Sequence, residues 1–152
     1  MAGPTPLPPV LSRKRPQPTD DENAYDLRLG DMADVPTLSV AECNELLNKL
    51  AERSNADPNN TRNNSEIYLK TREYVSLFAR FKDGKTVAQV DTISSRLLNV
   101  PGIQNFERAQ LATLCCDTAE EARTLIPSLE GKIGDDELQQ VLDDISKLRD
   151  FS

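Results

Sequence analysis

The 152-residue sequence contains no tryptophan and no histidine, and aromatic residues make up only 5% of it. Without histidine, histidine-based catalytic triads and dyads are excluded, and so are most zinc sites. An apolar content of 38% allows a modest core rather than a large one. These absences argue against an enzyme and against a bound metal or cofactor.

Cysteines and long apolar runs are also scarce. The three cysteines are Cys43 and the adjacent pair Cys115 and Cys116, an odd number that does not fit a disulfide framework. No apolar run approaches the roughly 20 residues that span a membrane, and the first residues form no secretory signal. We therefore expect a reduced, soluble, intracellular protein without membrane contact, in which Cys115 and Cys116 are small core residues.

Negative charge is concentrated near the end of the sequence. The net charge is −7, and residues 101–152 hold eleven acidic and five basic residues, a net charge of −6. Nucleic acid held through its phosphates requires a basic surface. We therefore expect no direct RNA binding by this region, and we assign its paired carboxylates to solvent-facing helix surfaces.

The sequence divides into a tail, a short docking unit, a linker and a main domain. Residues 1–24 hold six of the ten prolines and few large apolar residues, so we expect disorder. Within them, Arg13, Lys14 and Arg15 are either a nuclear-import signal or a solubilising cluster. Residues 25–53 form the docking unit, residues 54–63 a polar linker, and residues 64–152 the main domain.

The docking unit combines one strand with one helix. Tyr25, Leu27 and Leu29 alternate with polar residues, the period of a half-buried strand. Because a lone strand cannot satisfy its own backbone groups, it would have to join the sheet of another protein; an extended linker is the alternative. Ser39 and Glu42 predict a capping box at the start of a helix. The apolar stripe of this helix comprises Val40, Cys43, Leu47 and Leu50, widened by Leu46.

That helix would bury little by itself, since an isolated helix of about 12 residues is marginal in water. The alternative is that it folds back on the main domain. In the main domain, we predict a second helix over residues 64–81, with Tyr74, Phe78 and Phe81 packed in the core. The complete stripe of this helix comprises Ile67, Thr71, Tyr74, Phe78 and Phe81.

Caps and apolar periodicity predict four further helices. Thr86, Asn105 and Thr118 are predicted caps, and Gly134 and Asp135 precede the last helix. The third helix places Val87, Val90, Ser94 and Leu97 on one stripe, with Ile93 and Leu98 beside it. The last helix has the clearest stripe, formed by Leu138, Val141, Leu142, Ile145 and Leu148. The predicted fold class is therefore all-α.

Several segments in matching order resemble the fourth-largest subunit of eukaryotic RNA polymerase II and its archaeal relative, the small stalk subunit. They are FARFK at 78–82, FERAQLATLC at 106–115, TAEEA at 118–122, LIPSLEG at 125–131 and DELQQVLDDI at 136–145. The resemblance covers roughly residues 25–152 and is strongest from residue 66. It implies an HRDC-like helical domain, similar to the HRDC domains of helicases, preceded by a partner-docking strand and helix.

The resemblance also implies a function. Family members pair with the seventh-largest subunit, which carries an OB-fold, in a stalk beside the RNA exit channel that supports initiation. Roles in export and decay of messenger RNA are also attributed to the family. These features imply a nuclear, non-catalytic subunit that contacts the polymerase core and meets RNA only indirectly. The predicted interface residues are Tyr25, Leu27, Leu29, Leu38, Val40, Leu47 and Leu50. A free helical adaptor and an independent nucleic-acid-binding module are the competing interpretations.

Overall fold

The computed structural model describes residues 25–55 and 65–149, and these residues form six α-helices and no strand. The predictions for the tail, for most of the linker and for residues 150–152 concern positions outside the described residues. The all-α class is confirmed. The helices are α1 (Val40–Asn55), α2 (Glu66–Phe78), α3 (Gly84–Ser95), α4 (Asn105–Leu114), α5 (Ala119–Leu125) and α6 (Asp135–Arg149).

The core lies between α3, α4, α5 and α6. The predicted inner face of α6 is confirmed, because Leu138, Val141, Leu142 and Ile145 are buried and Leu148 packs against them partly exposed. Opposite them lie Leu111 from α4 and Ile126 and Leu129 from the connection that follows α5, all fully buried. The acidic residues that open α6 remain exposed at its N-terminus, where they complement the helix dipole.

Helix α3 has the predicted buried stripe but a different cap. Val87, Val90 and Ser94 are buried, and so is Leu97 in the 3-10 turn Arg96–Asn99 that follows the helix. The cap is Asp83 rather than Thr86, since an Asp83 carboxylate oxygen accepts hydrogen bonds from the backbone N–H groups of Lys85 and Thr86 at 3.2 Å each. A carboxylate that reaches two of the free N–H groups in the first turn leaves no such role for the threonine.

Helix α4 and the turn after it are buried on several sides. Asn105 is the first helical residue instead of the cap, and the backbone N–H of Gln104 donates to Glu107 Oε2 at 2.8 Å. Cys115 ends the helix in a left-handed conformation with φ of 50°. Both Cys115 and Cys116 are buried core residues, which confirms their predicted role.

Helix α5 begins at the predicted cap, Thr118, with one half of a capping box. Thr118 Oγ1 accepts a hydrogen bond from the backbone N–H of Glu121 at 3.1 Å. The Glu121 carboxylate accepts from the backbone N–H of Asp117 at 2.9 Å, one residue before the position that the reciprocal arrangement requires. The helix ends before Pro127, as expected from the missing backbone N–H of proline.

Helix α1 begins with the predicted capping box and packs against α2 and α3. The backbone N–H of Ser39 donates to Glu42 Oε2 at 2.6 Å, and the Glu42 N–H donates to Ser39 Oγ at 3.2 Å. The predicted stripe residue Leu50 and the neighbouring Leu46 are exposed, and the fully buried face is made of small or polar residues, Ala41, Asn44, Ala51 and Ser54. The helix therefore folds back on its own domain, and it continues to Asn55, into the predicted linker.

The predicted core stripe of α2 is wrong in all but its last residue. Helix α2 begins at Glu66, capped by Ser65, and ends at Phe78. Ile67, Tyr74 and Phe78 are exposed, whereas Val75 is buried on a different face. Phe81 is fully buried, but it lies in the connection to α3 and follows no helical register from α2.

Candidate partner-docking surface

The predicted interface residues lie at the start of the described chain and along α1. Tyr25, Leu38 and Leu50 are 74%, 53% and 45% exposed. The remaining four, Leu27, Leu29, Val40 and Leu47, are partly exposed. Large apolar side chains at such exposure remain available for contact with another protein.

Residues 25–29 form no strand in the described chain. Tyr25 and Asp26 lie in a bend, the next three residues are irregular, and a single 3-10 turn follows at Gly30–Met32. The strand was predicted to form by joining the sheet of another protein, and that remains a prediction. The side chain of Tyr25 lines a shallow groove on α5 with Glu120, Arg123 and Glu130.

A buried arginine joins the segment before α1 to the helical domain. Arg108, on α4, is only 5% exposed. Its Nη2 atom donates to the backbone carbonyl of Thr37 at 2.6 Å and lies 3.7 Å from Glu42 Oε2, and its Nη1 atom donates to Asp91 Oδ1 at 2.7 Å. One guanidinium group, with its fixed fork of donors, thus connects the pre-helix segment, α1 and α3.

Three further long-range hydrogen bonds hold the same segment on α4. Thr37 Oγ1 donates to the Asn105 carbonyl at 2.6 Å, and Asn105 Nδ2 donates to the Val35 carbonyl at 3.5 Å. The backbone N–H of Val40 donates to Thr113 Oγ1 at 3.2 Å. Leu38 and Val40 are therefore presented from a backbone that is fixed on both sides.

A second buried charge on α4 stabilises the opposite side of the domain. Glu107 is fully buried, and its Oε1 atom accepts hydrogen bonds from Ser128 Oγ at 2.6 Å and Lys132 Nζ at 2.7 Å. With Gln104, this carboxylate has three hydrogen-bond donors. A buried carboxylate requires hydrogen-bond donors of this kind to remain stable away from water. We therefore assign Glu107 a structural role.

Sequence reasoning missed Glu107 and Arg108 as organising residues. The available indication was a pair of adjacent charges in a helix that is otherwise apolar on several faces, a position where charges are rarely buried without partners. Their partners lie up to 71 residues away, so no local pattern identifies them.

Helix α2 presents exposed apolar residues, among them Tyr74 and Phe78, which the sequence pattern assigned to the core. On this helix, Ile67, Leu69, Tyr74, Leu77 and Phe78 are each more than half exposed. The rings of Tyr74 and Phe78 lie next to each other, with centroids 4.7 Å apart and planes tilted by 39°. This concentration of large apolar side chains on one helix is typical of a surface that contacts another protein.

Among residues 25–55 and 65–149, no group of three or more His, Cys, Asp or Glu side chains is placed to hold a metal ion. Burial raises the pKa of the Cys115 thiol to about 11 and also raises the pKa of Cys116, so both remain protonated at neutral pH. Within these residues, no helix has the length and hydropathy of a membrane span.

The fold and the exposed side chains thus define a helical protein with apolar surfaces suited to protein partners. Residues 37–149 match the family described as RNA polymerase Rpb4. The chain belongs to this family, and the family identity agrees with the resemblance carried by the segments between residues 78 and 145.

Individual relatives extend the match over most of the chain. The chain is 38% identical to "DNA-directed RNA polymerase II subunit rpb4" of Schizosaccharomyces pombe over 137 residues, which cover 90% of this chain and 98% of that protein. It is 33% identical to "DNA-directed RNA polymerase II subunit 4" of Arabidopsis thaliana, covering 87% and 96%. It is 47% identical to "DNA-directed RNA polymerase II subunit RPB4" of Saccharomyces cerevisiae, covering 58% and 38%.

Proposed function

We propose that this chain is a non-catalytic subunit of RNA polymerase II that pairs with the OB-fold stalk subunit, the seventh-largest subunit, as a heterodimer. The observation that carries the pairing proposal is the exposure of Tyr25, Leu38 and Leu50, of which Leu38 directly follows the Thr37 backbone that Arg108 binds. Membership in the Rpb4 family, and relatives named as RNA polymerase II subunits, support the assignment of the chain to the RNA polymerase II complex.

The pairing is proposed to use strand addition followed by helix contact. In this proposal, residues 25–29 add to a sheet edge of the stalk partner, with Leu27 and Leu29 packing on one face. Leu38, just before α1, and Val40, Leu47 and Leu50 on α1 then contact the partner. Residues 25–29 are irregular in the single chain, which is what a segment awaiting its strand partner would adopt.

The stalk formed in this way would stand beside the RNA exit channel, contact the polymerase core and support initiation in the nucleus. Residues 105–149 hold ten acidic and five basic residues, a net charge of −5. Because phosphates are repelled by such a surface, RNA would meet the partner's OB-fold rather than this domain. Roles in export and decay of messenger RNA would follow from the same complex.

Co-expression with the OB-fold stalk subunit tests the pairing, followed by size-exclusion chromatography with light scattering. We expect a one-to-one complex that is lost when Leu27 and Leu29 are both replaced by lysine, because two charges would enter the shared sheet face. Point variants are better than deletion of residues 25–53, since Ala41 and Ala51 of α1 are buried against the domain.

Leu98→Lys is the matched control, because Leu98 is 40% exposed in the 3-10 turn Arg96–Asn99 and is not one of the proposed interface residues. This variant should pair like the unaltered chain. If the unaltered chain remains a monomer beside the stalk subunit, the pairing proposal is wrong.

The second candidate function is a free helical adaptor, and the exposed apolar residues of α2 are the observation that favours it. An adaptor would use helix faces and would not need residues 25–29. A chain that ignores the stalk subunit but binds another protein through α2 would support this alternative.

A further inference from the structure

One side of α2 carries a regularly spaced row of exposed residues, which we name the α2 stripe. Its members are Ile67, Thr71, Tyr74 and Phe78, spaced by four, three and four residues. This spacing keeps them on one helix face over eleven residues, about 16 Å at 1.5 Å per residue. Ile67, Tyr74 and Phe78 are 81%, 56% and 55% exposed, and Thr71 is exposed too, so the described part of the chain leaves the stripe uncovered.

The helix that carries the stripe is held in place by another face. Val75 and Ala79, the residue that follows the helix, are buried, and α2 packs against α1. On the stripe, the rings of Tyr74 and Phe78 contact each other. The stripe is therefore a fixed surface, which another molecule can contact without a change in the fold.

The spacing of the stripe reads the same in both directions along the helix. If two copies of α2 lie antiparallel about a two-fold axis midway between Thr71 and Tyr74, every stripe residue faces a stripe residue of the second copy. Ile67 then faces Phe78 of the second copy, and Thr71 faces Tyr74 of the second copy. In both contacts a smaller side chain faces an aromatic ring, the alternation that lets facing helices interdigitate.

The charge of α2 suits an identical helix better than a partner of one charge sign. The helix holds two basic and two acidic residues, a net charge of zero. Lys70, at the edge of the stripe, already has its counter-charge, because its Nζ atom lies 2.6 Å from Glu66 Oε1 in the same helix. Since the whole chain carries a net charge of −7, two copies repel each other least where they meet through a neutral helix.

The exposed area on this side of α2 is enough for a weak dimer. Leu77 is 73% exposed and lies along the edge of the stripe, seven residues after Lys70. Together with the stripe it exposes on the order of 500 Å² in each copy, so two copies would cover on the order of 1,000 Å². That area lies at the lower limit of specific interfaces and predicts a reversible dimer.

We propose that the α2 stripe binds a second copy of this chain, in an antiparallel α2–α2 contact that forms a reversible homodimer. Both copies use the same surface, so the contact is closed by its two-fold axis and does not extend to a filament. The proposal goes beyond pairing with the stalk subunit and does not depend on it, because the predicted pairing residues all precede α2.

Sedimentation equilibrium of the full chain tests the proposal, at concentrations from micromolar to millimolar. We expect an apparent mass that rises with concentration toward twice that of the single chain. Added salt should not weaken the dimer, because apolar contacts hold it and salt screens the repulsion between two negative chains.

Two complementary variants test the antiparallel register. Ile67→Lys and Phe78→Glu should each weaken self-association about 10-fold or more, because each altered residue occurs at two contacts of the dimer. A mixture of the two variants should recover most of the association. In the mixed dimer, the introduced lysine and glutamate face each other at one contact, and the other contact keeps both original residues.

Leu98→Lys is the matched control for the single variants. Leu98 is 40% exposed in the 3-10 turn Arg96–Asn99, outside α2, so this variant should associate like the unaltered chain. Thermal unfolding followed by circular dichroism checks that each variant is folded.

Several outcomes overturn the proposal. A chain that stays monomeric at millimolar concentration would do so, and so would a dimer that neither variant weakens. Single variants that weaken the dimer without recovery in the mixture would show that the two copies do not meet in the antiparallel register. A monomeric chain whose binding to the stalk subunit or to single-stranded RNA is lost in Ile67→Lys would assign the stripe to that partner instead.

Discussion

Helices α2 and α6 are both amphipathic, but the apolar stripe of α6 is buried whereas that of α2 is exposed. On α6, Leu138, Leu142 and Ile145 are almost completely buried, whereas on α2 Tyr74 and Phe78 remain more than half exposed. Periodicity identifies an apolar face in both helices, but it does not say which molecule covers that face. A regular apolar stripe can therefore lie exposed on the surface of the single chain.

Two phenylalanines three residues apart allow the sharpest test of this contrast. Phe81→Ala should lower the free energy of unfolding by about 3–5 kcal/mol, because the fully buried ring leaves a cavity. Phe78→Ala should lower it by less than about 1 kcal/mol, since the ring is exposed and loses mainly its contact with Tyr74. Urea unfolding of both variants measures the difference.

The two substitutions remove the same atoms, so each is the control for the other. Equal destabilisation by both would show that Phe78 is packed in solution. The exposed apolar side of α2 would then not be a free surface.

Local features of the fold could be predicted from the sequence because neighbouring residues determine them. The reciprocal hydrogen bonds of Ser39 and Glu42 need only a spacing of three residues, and the leucines of α6 need only helical period. The buried face of α1 could not be predicted in this way. Ala41 and Ala51 are buried because small side chains let α1 approach α2 and α3 closely, a property of the assembled helices.

Only the local part of the candidate docking surface could be read from the sequence. The apolar alternation at Leu27 and Leu29 is visible in the sequence, whereas the exposure of Leu38 is seen only in the structure. The attachment through Arg108 is not visible in the sequence either, because Thr37 and Arg108 are 71 residues apart. Whether the irregular residues 25–29 become a strand depends on backbone groups that a partner would have to supply.

Replacing Arg108 tests how the docking segment is attached. Arg108→Met keeps the length of the side chain but removes its hydrogen bonds to Thr37 and Asp91. We expect a loss of about 2–3 kcal/mol in the free energy of unfolding, typical of charge-assisted bonds in a buried site. Hydrogen exchange should also accelerate at the amides of Val40 and Cys43.

Arg123→Met is the matched control for that variant. Arg123 bonds Glu130, Asp135 and the Ile133 carbonyl, all at the α5–α6 end of the domain. It should reduce stability without accelerating exchange at the start of α1. If both variants accelerate that exchange equally, Arg108 has no particular role in holding the segment.

The smallest expected effect is a pH dependence of stability. It distinguishes the buried thiol of Cys115 from the partly exposed thiol of Cys43 on α1. Burial raises the pKa of Cys115 from 9.0 to about 11, so the folded chain retains a proton that the unfolded chain loses first. The stability contributed by this group is present below pH 9 and is lost as pH rises through 11. Between pH 8 and pH 10, Cys115 should therefore account for a loss of about 1 kcal/mol, which follows from 1.36 kcal/mol per pKa unit. Urea unfolding at both pH values should show a loss smaller by that amount in Cys115→Ala than in Cys43→Ala, and equal losses would mean that the Cys115 thiol is open to water in solution.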